Sequence, residues 1–142
     1  EKGVKLLGRL TDRKVVRRKS RKRIPSLGVR PGLEIGCLVT LRGKKAEEIL
    51  SNLLASMDNQ LKEKQISENS FSFGIKEYIE IPGVQYQRDV GIIGFDVSVV
   101  FSRAGKRVEG RKRKRSRIPK KQDVSREEII KFMQNKFGVE LI

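Results

Sequence analysis

The sequence predicts an α+β fold: an antiparallel sheet packed on helices over one face, an open face, and protruding basic loops. Three observations lead there. Segments at 34–42, 71–75 and 94–103 alternate apolar and polar residues with period two, as half-buried strands do. Segments at 46–61 and 126–137 repeat apolar residues at helical spacing. Each strand keeps one aliphatic side and one polar side, the pattern of antiparallel sheets with one solvated face.

The elements follow in order. KGVKLLGRL at 2–10 puts Val4, Leu6, Leu7 and Leu10 on roughly one side, as the end of a helix would. The chain opens at Glu1 rather than Met, so an upstream segment is expected to be missing. Val15 and Val16 form a short strand inside a basic run. IPSLGVRPG at 24–32 holds two prolines and two glycines and reads as a loop. Ile35, Cys37, Val39 and Leu41 then alternate inward against Leu38, Thr40 and Arg42, and Cys37 is a small core residue rather than a reactive thiol.

After Gly43 the period lengthens. Ala46, Ile49, Leu50, Leu53, Leu54, Met57 and Leu61 make the apolar stripe of an amphipathic helix. Phe71, Phe73 and Ile75, then Ile79 and Ile81, alternate as a second strand region ending at Pro82-Gly83. Phe95, Val97, Val99 and Phe101 mark a third strand. The last helix has a full start signal. Ser125 is the N-cap, Glu128 completes a capping box, and Val124 and Ile129 take the staple positions. Ile129, Ile130, Phe132, Met133 and Phe137 are its buried stripe, and Gly138 its left-handed stop. No repeat or boundary interrupts residues 1–142, which read as a single domain.

Charge is the most informative property. The chain carries 33 Lys+Arg against 17 Asp+Glu, a net +16. Residues 13–23 hold eight basic side chains and no acid; residues 103–121 hold eleven, opposed only by Glu109. The other 112 positions hold 14 basic and 16 acidic residues, so the chain reads as a near-neutral globule with two cationic segments. Like charges at that density repel unless a polyanion neutralises them. A localisation tag needs one cluster of about five to eight residues; two Arg-rich clusters favour nucleic acid, because the guanidinium fork matches phosphate.

Exclusions narrow the classes further. With no histidine and one cysteine, Ser/His and Cys/His nucleophile pairs and the usual zinc sets are absent. Walker A and GxGxxG patterns are missing, and GIIG at 91–94 is turn punctuation. No apolar run approaches 18 residues, no secretory signal is expected, and the basic amphipathic helix that anionic membranes require is lacking. Asp89 and Asp96 are the only candidates for a Mg²⁺-dependent nucleic-acid enzyme, the alternative reading. Asp96 alone on the outer side of a strand is more simply a solvated residue. No cofactor, metal or catalytic residue is assigned.

The order RKRIPSLGVRPGLEIGCLVTLRGKKAEEIL, NSFSFGIKEYIEIPGVQY and VGIIGFDVSVVFSRAGKRV closely resembles the 5S-rRNA-binding family of the large ribosomal subunit, the fifth in that series. The likeness runs nearly end to end. The basic stretch before the final helix and the IPG turn at 81–83 resemble the archaeal branch. The resemblance implies a non-catalytic ribosomal protein of the cytoplasm that joins 5S rRNA to large-subunit rRNA in the central protuberance, beside neighbouring ribosomal proteins. It also implies that the family's N-terminal strand is absent here.

By the same resemblance Thr40, with Arg42 beside it, lies on the 5S rRNA face. Where the family reads Gly-Gln-Lys-Pro and then Thr, this chain has Asp12, Arg13, Lys14, Val15 and Arg18, so Arg13 and Arg18 exchange neutral hydrogen bonds for phosphate contacts. Arg17, Lys19, Arg21, Lys22, Arg111, Lys112, Arg113, Lys114, Arg115 and Arg117 are expected on rRNA phosphates. The loop expected to extend toward P-site tRNA comprises Arg23, Ile24, Pro25, Ser26, Leu27, Gly28, Val29, Arg30, Pro31 and Gly32. Asn69, Phe71 and Phe73 match the family's NFSFG-like turn and are given a structural role.

Overall fold

Helix α1 (Lys2–Thr11) turns Leu6 into the interior and ends at Asp12, whose left-handed backbone (φ 49°) returns its N–H to the Gly8 carbonyl. The computed structural model describes residues 1–142, which gather into two units. The first takes Glu1–Asn52 and Glu77–Ile93; the second takes Leu53–Lys76 and Gly94–Ile142. Helices and small, mainly antiparallel sheets are mixed throughout, so the α+β class holds.

In the first unit, β1 (Val16–Lys19) pairs antiparallel with β2 (Glu34–Leu38), setting Val16 opposite Leu38 and Arg18 opposite Gly36. Helix α1 packs against β2 so closely that a Cβ on Gly3 would lie 2.9 Å from Cys37 Sγ. Only Gly fits there. Cys37 is accordingly half-buried, but Ile35, expected inward, is 59% exposed. A two-stranded ribbon twists strongly, and the close helix contact falls at Cys37, two residues further on. The strand also stops at Leu38, four residues short of the expected Arg42.

Helix α2 (Lys44–Ala55) starts just after Gly43 (φ 72°), as the change of period predicts. It ends earlier than expected, because Asp58 and Asn59 turn left-handed (φ 53° and 55°). Their side chains tolerate that region better than most. The expected strand at Ile79 and Ile81 is instead a single 3₁₀ turn, Tyr78–Glu80. At three residues per turn it is Tyr78 and Ile81 that face inward, while Ile79 stays exposed. Fully buried Tyr78 satisfies its hydroxyl by accepting the Gln87 N–H at 2.9 Å.

In the second unit Leu61, expected on the helix, enters β3 (Gln60–Leu61), which pairs in parallel with β7 (Glu140–Leu141). A three-stranded antiparallel sheet runs β4 (Ile66–Ser67), β5 (Ser70–Ile75), β6 (Phe95–Val100). Its inner face pairs Phe71 with Val99, Phe73 with Val97 and Ile75 with Phe95. Its outer face is open, carrying Ser72, Gly74, Asp96, Ser98 and a 68%-exposed Val100. Helix α4 (Arg126–Phe137) packs against β4, with Ile129 and Met133 buried. Burying side chains of this size stabilises by about 1.5–3 kcal/mol each. Phe101 meets Phe71 at 5.9 Å and Phe132 edge-on at 5.7 Å. Between β6 and α4 stands the one-turn helix α3 (Arg107–Gly110).

Candidate nucleic-acid interface

The first basic run follows directly from the way β1 is built. All four of its residues are exposed, so Arg17, Arg18 and Lys19 stand in solvent, with Arg13 and Lys14 before them and Arg21, Lys22 and Arg23 after. Only Arg17 has a carboxylate partner, Glu34 at 2.9 Å. Arg13, Lys14, Arg18, Lys19, Arg21, Lys22 and Arg23 make no ion pair. A phosphate at Arg17 has to compete with Glu34; at the others nothing opposes it.

Ser20 interrupts the run and is buried. Its N–H donates to the Leu33 carbonyl at 2.8 Å, its carbonyl accepts the Gly32 N–H at 2.9 Å, and its hydroxyl donates to the Lys22 carbonyl at 2.8 Å. These bonds clamp the base of the 24–32 loop. Ile24 and Val29 bridge across it, Pro25–Leu27 form a 3₁₀ turn, and Gly28 (φ 64°) reverses the chain with its N–H on the Pro25 carbonyl. Leu27, 73% exposed, lies in that turn; Arg23 and Arg30 are exposed too. The loop is an ordered projection rather than a slack connector.

Thr40 and Arg42 are both exposed and both lie in the same unit as the loop and the first run. They sit past the end of β2, so strand alternation does not position them.

The second run lies in the other unit. It is neither a bare loop nor a hairpin: α3 interrupts it, Arg111 Nε donates to the Lys114 carbonyl at 2.7 Å, and Ser116 N–H reaches the Val108 carbonyl. Arg111, Lys112, Arg113, Lys114, Arg115 and Arg117 are all exposed and form no ion pair. Against the end of β6 and Asn69 the run encloses a cavity of about 220 Å³. Residue-type reasoning did not single out this cavity, because it joins positions from 69 to 123.

Asn69 (φ 61°) holds this corner together. Its N–H donates to the Val124 carbonyl, its Oδ1 accepts the Val124 N–H at 2.6 Å, and its carbonyl accepts the Phe101 N–H at 2.7 Å. Phe71 and Phe73 are buried and stack at 6.0 Å. The Ser125–Glu128 capping box forms as expected, and Arg103 adds two bonds of 2.8 Å to the Glu128 carboxylate. Arg103 thereby holds that carboxyl below its usual carboxylate range. Asp89 belongs to the first unit and Asp96 to the second, where Asp96 lies opposite Gly74 on the open sheet face. No group of three or more carboxylates and thiols gathers around either.

Comparison with known proteins adds a family. The sequence model describing the C-terminus of the ribosomal uL5 family matches residues 34–132. The chain is 43% identical over 143 residues to "Large ribosomal subunit protein uL5" of Nanoarchaeum equitans, covering 100% of this chain and 85% of the relative. It is 43% identical over 136 residues to the protein of that name from Methanosphaera stadtmanae, covering 95% and 81%. Over 144 residues it is 42% identical to the one from Sulfurisphaera tokodaii, covering 100% and 81%.

Proposed function

Because the chain belongs to the ribosomal uL5 family, we propose that it binds 5S rRNA and large-subunit rRNA in the central protuberance and extends its 24–32 loop toward P-site tRNA. It is a protein of the large ribosomal subunit, a structural component rather than an enzyme, and works in the cytoplasm. We read residues 1–142 as one rRNA-binding domain to which both units contribute.

One observation carries the reading. Every cation from Arg13 to Arg23 is exposed, and all but Arg17 lack a carboxylate partner. Such a set is stable only beside a polyanion, and RNA supplies phosphates at the matching density. The open polar sheet face supports it further, since RNA minor grooves are read through shape, 2′-hydroxyls and phosphates. Thr40 and Arg42 offer a hydroxyl and a guanidinium from the same unit as the run.

Titration of 5S rRNA with the parent and with the Thr40→Ala/Arg42→Ala pair tests the face. The pair folds like the parent, because both side chains are exposed, and binds 5S rRNA at least several-fold more weakly. Equal affinity in a folded double variant rejects this face.

A further inference from the structure

The cavity in the second basic run has an unexpected lining. Residues 103–121 contain one carboxylate among eleven cations, and that carboxylate, Glu109, lines the cavity together with Asp123. Lys106, Arg117 and Lys120 line it as well, yet neither carboxylate forms an ion pair or hydrogen bond with any of their side chains. A carboxylate present merely to neutralise the run would be paired. Here a half-buried Glu109 keeps its acceptors free inside the enclosure.

The ligand must therefore bring hydrogen-bond donors to the carboxylates and negative charge to the cations. A bare phosphate satisfies only the second demand, because two carboxylates repel it. A nucleotide satisfies both. Among the four RNA bases, only guanine presents two adjacent donors, N1–H and N2–H₂, that one carboxylate can accept together. Adenine, cytosine and uracil each bring a single donor group to that edge.

We propose that this cavity holds an unpaired guanine of an RNA strand. Glu109 accepts from its Watson–Crick edge, and Lys106, Arg117 and Lys120 bind the flanking phosphates. Asn69, fixed through its bonds to Val124 and Phe101, forms a rigid wall. Single-stranded and bulged bases are the ones RNA-binding proteins read in this manner. The proposal rests on the rRNA-binding reading and adds a base-specific contact to it.

The test uses the full chain and labelled RNA hairpins, one fully paired and others with a single bulged G, A, C, U or inosine, read by fluorescence anisotropy. The guanine bulge binds about tenfold more tightly than the A, C or U bulge, in keeping with one bidentate base contact. Inosine, lacking the N2 amino group, loses most of that preference. Glu109→Gln abolishes it while leaving affinity for the paired hairpin unchanged or higher, and circular dichroism confirms the fold. Equal affinity across the bulges, with the paired hairpin still bound, overturns the pocket and leaves rRNA binding standing. A guanine preference that survives Glu109→Gln overturns the assignment to this side chain. No binding to any hairpin overturns both readings.

Discussion

At Glu128 one carboxylate closes two contacts: it accepts from the Ser125 N–H in the capping box and takes both hydrogen bonds from Arg103. Because its folded pKa lies below the ordinary 4.5, its contribution to stability is complete above that value and is lost as pH falls through the lower folded one. Glu128→Gln should therefore melt at a lower temperature than the parent at neutral pH. The gap should close as pH drops below 4.5, and a gap constant with pH would show the carboxylate contributes nothing. Half of this site was readable in the sequence. The capping box is local, a Ser and a Glu three residues apart, and its geometry is shared by many helices. Arg103 lies 25 residues away and reaches Glu128 only because β6 and α4 come together. The free state of Glu109 is hidden for the same reason, since its neighbours come from Asn69, Arg117 and Asp123.

Among the elements, helices with strong start and stop residues were legible, and short strands were less so. Helix α4 begins at Ser125 and stops at Gly138 as its sequence dictates. The Ile79–Ile81 alternation misled because two apolar residues cannot distinguish period two from a three-residue turn; the burial of Tyr78 decided it. The parallel β3–β7 pair joins residues some 80 positions apart with two residues each, too little periodicity to read. The 24–32 loop is where element-level prediction is sharpest. With Ser20 bonded to Leu33 and Gly32, the base survives deletion of Pro25–Pro31 and bridging with glycines. Ribosomes carrying that deletion should incorporate 5S rRNA normally but retain P-site tRNA poorly. Arg30→Ala should act in the same direction with a smaller effect, consistent with one charge-assisted bond of roughly 1.5–3 kcal/mol. Parent-like tRNA retention by the deletion would reduce the loop to a connector.

For the whole molecule, charge placement was fully legible, because it needs no fold to be counted. If the two runs neutralise about six to ten phosphates, RNA affinity should fall roughly 10³- to 10⁵-fold between 50 and 200 mM salt. Binding measured across that range would refute a phosphate-dominated interface if it stayed nearly constant. The partition into two interleaved units was not legible, since its first boundary falls inside α2, between Asn52 and Leu53, with no linker to mark it. That interleaving governs how the protein can be made. The first unit needs Glu77–Ile93 before it can close on Glu1–Asn52, and β3 has no partner until residues 140 and 141 have been synthesised. Such long sequence separations slow folding. The newly made chain thus displays its first cationic run well before the unit bearing it is complete. Early capture by RNA, or shielding by an acidic chaperone, would protect that stretch during its wait.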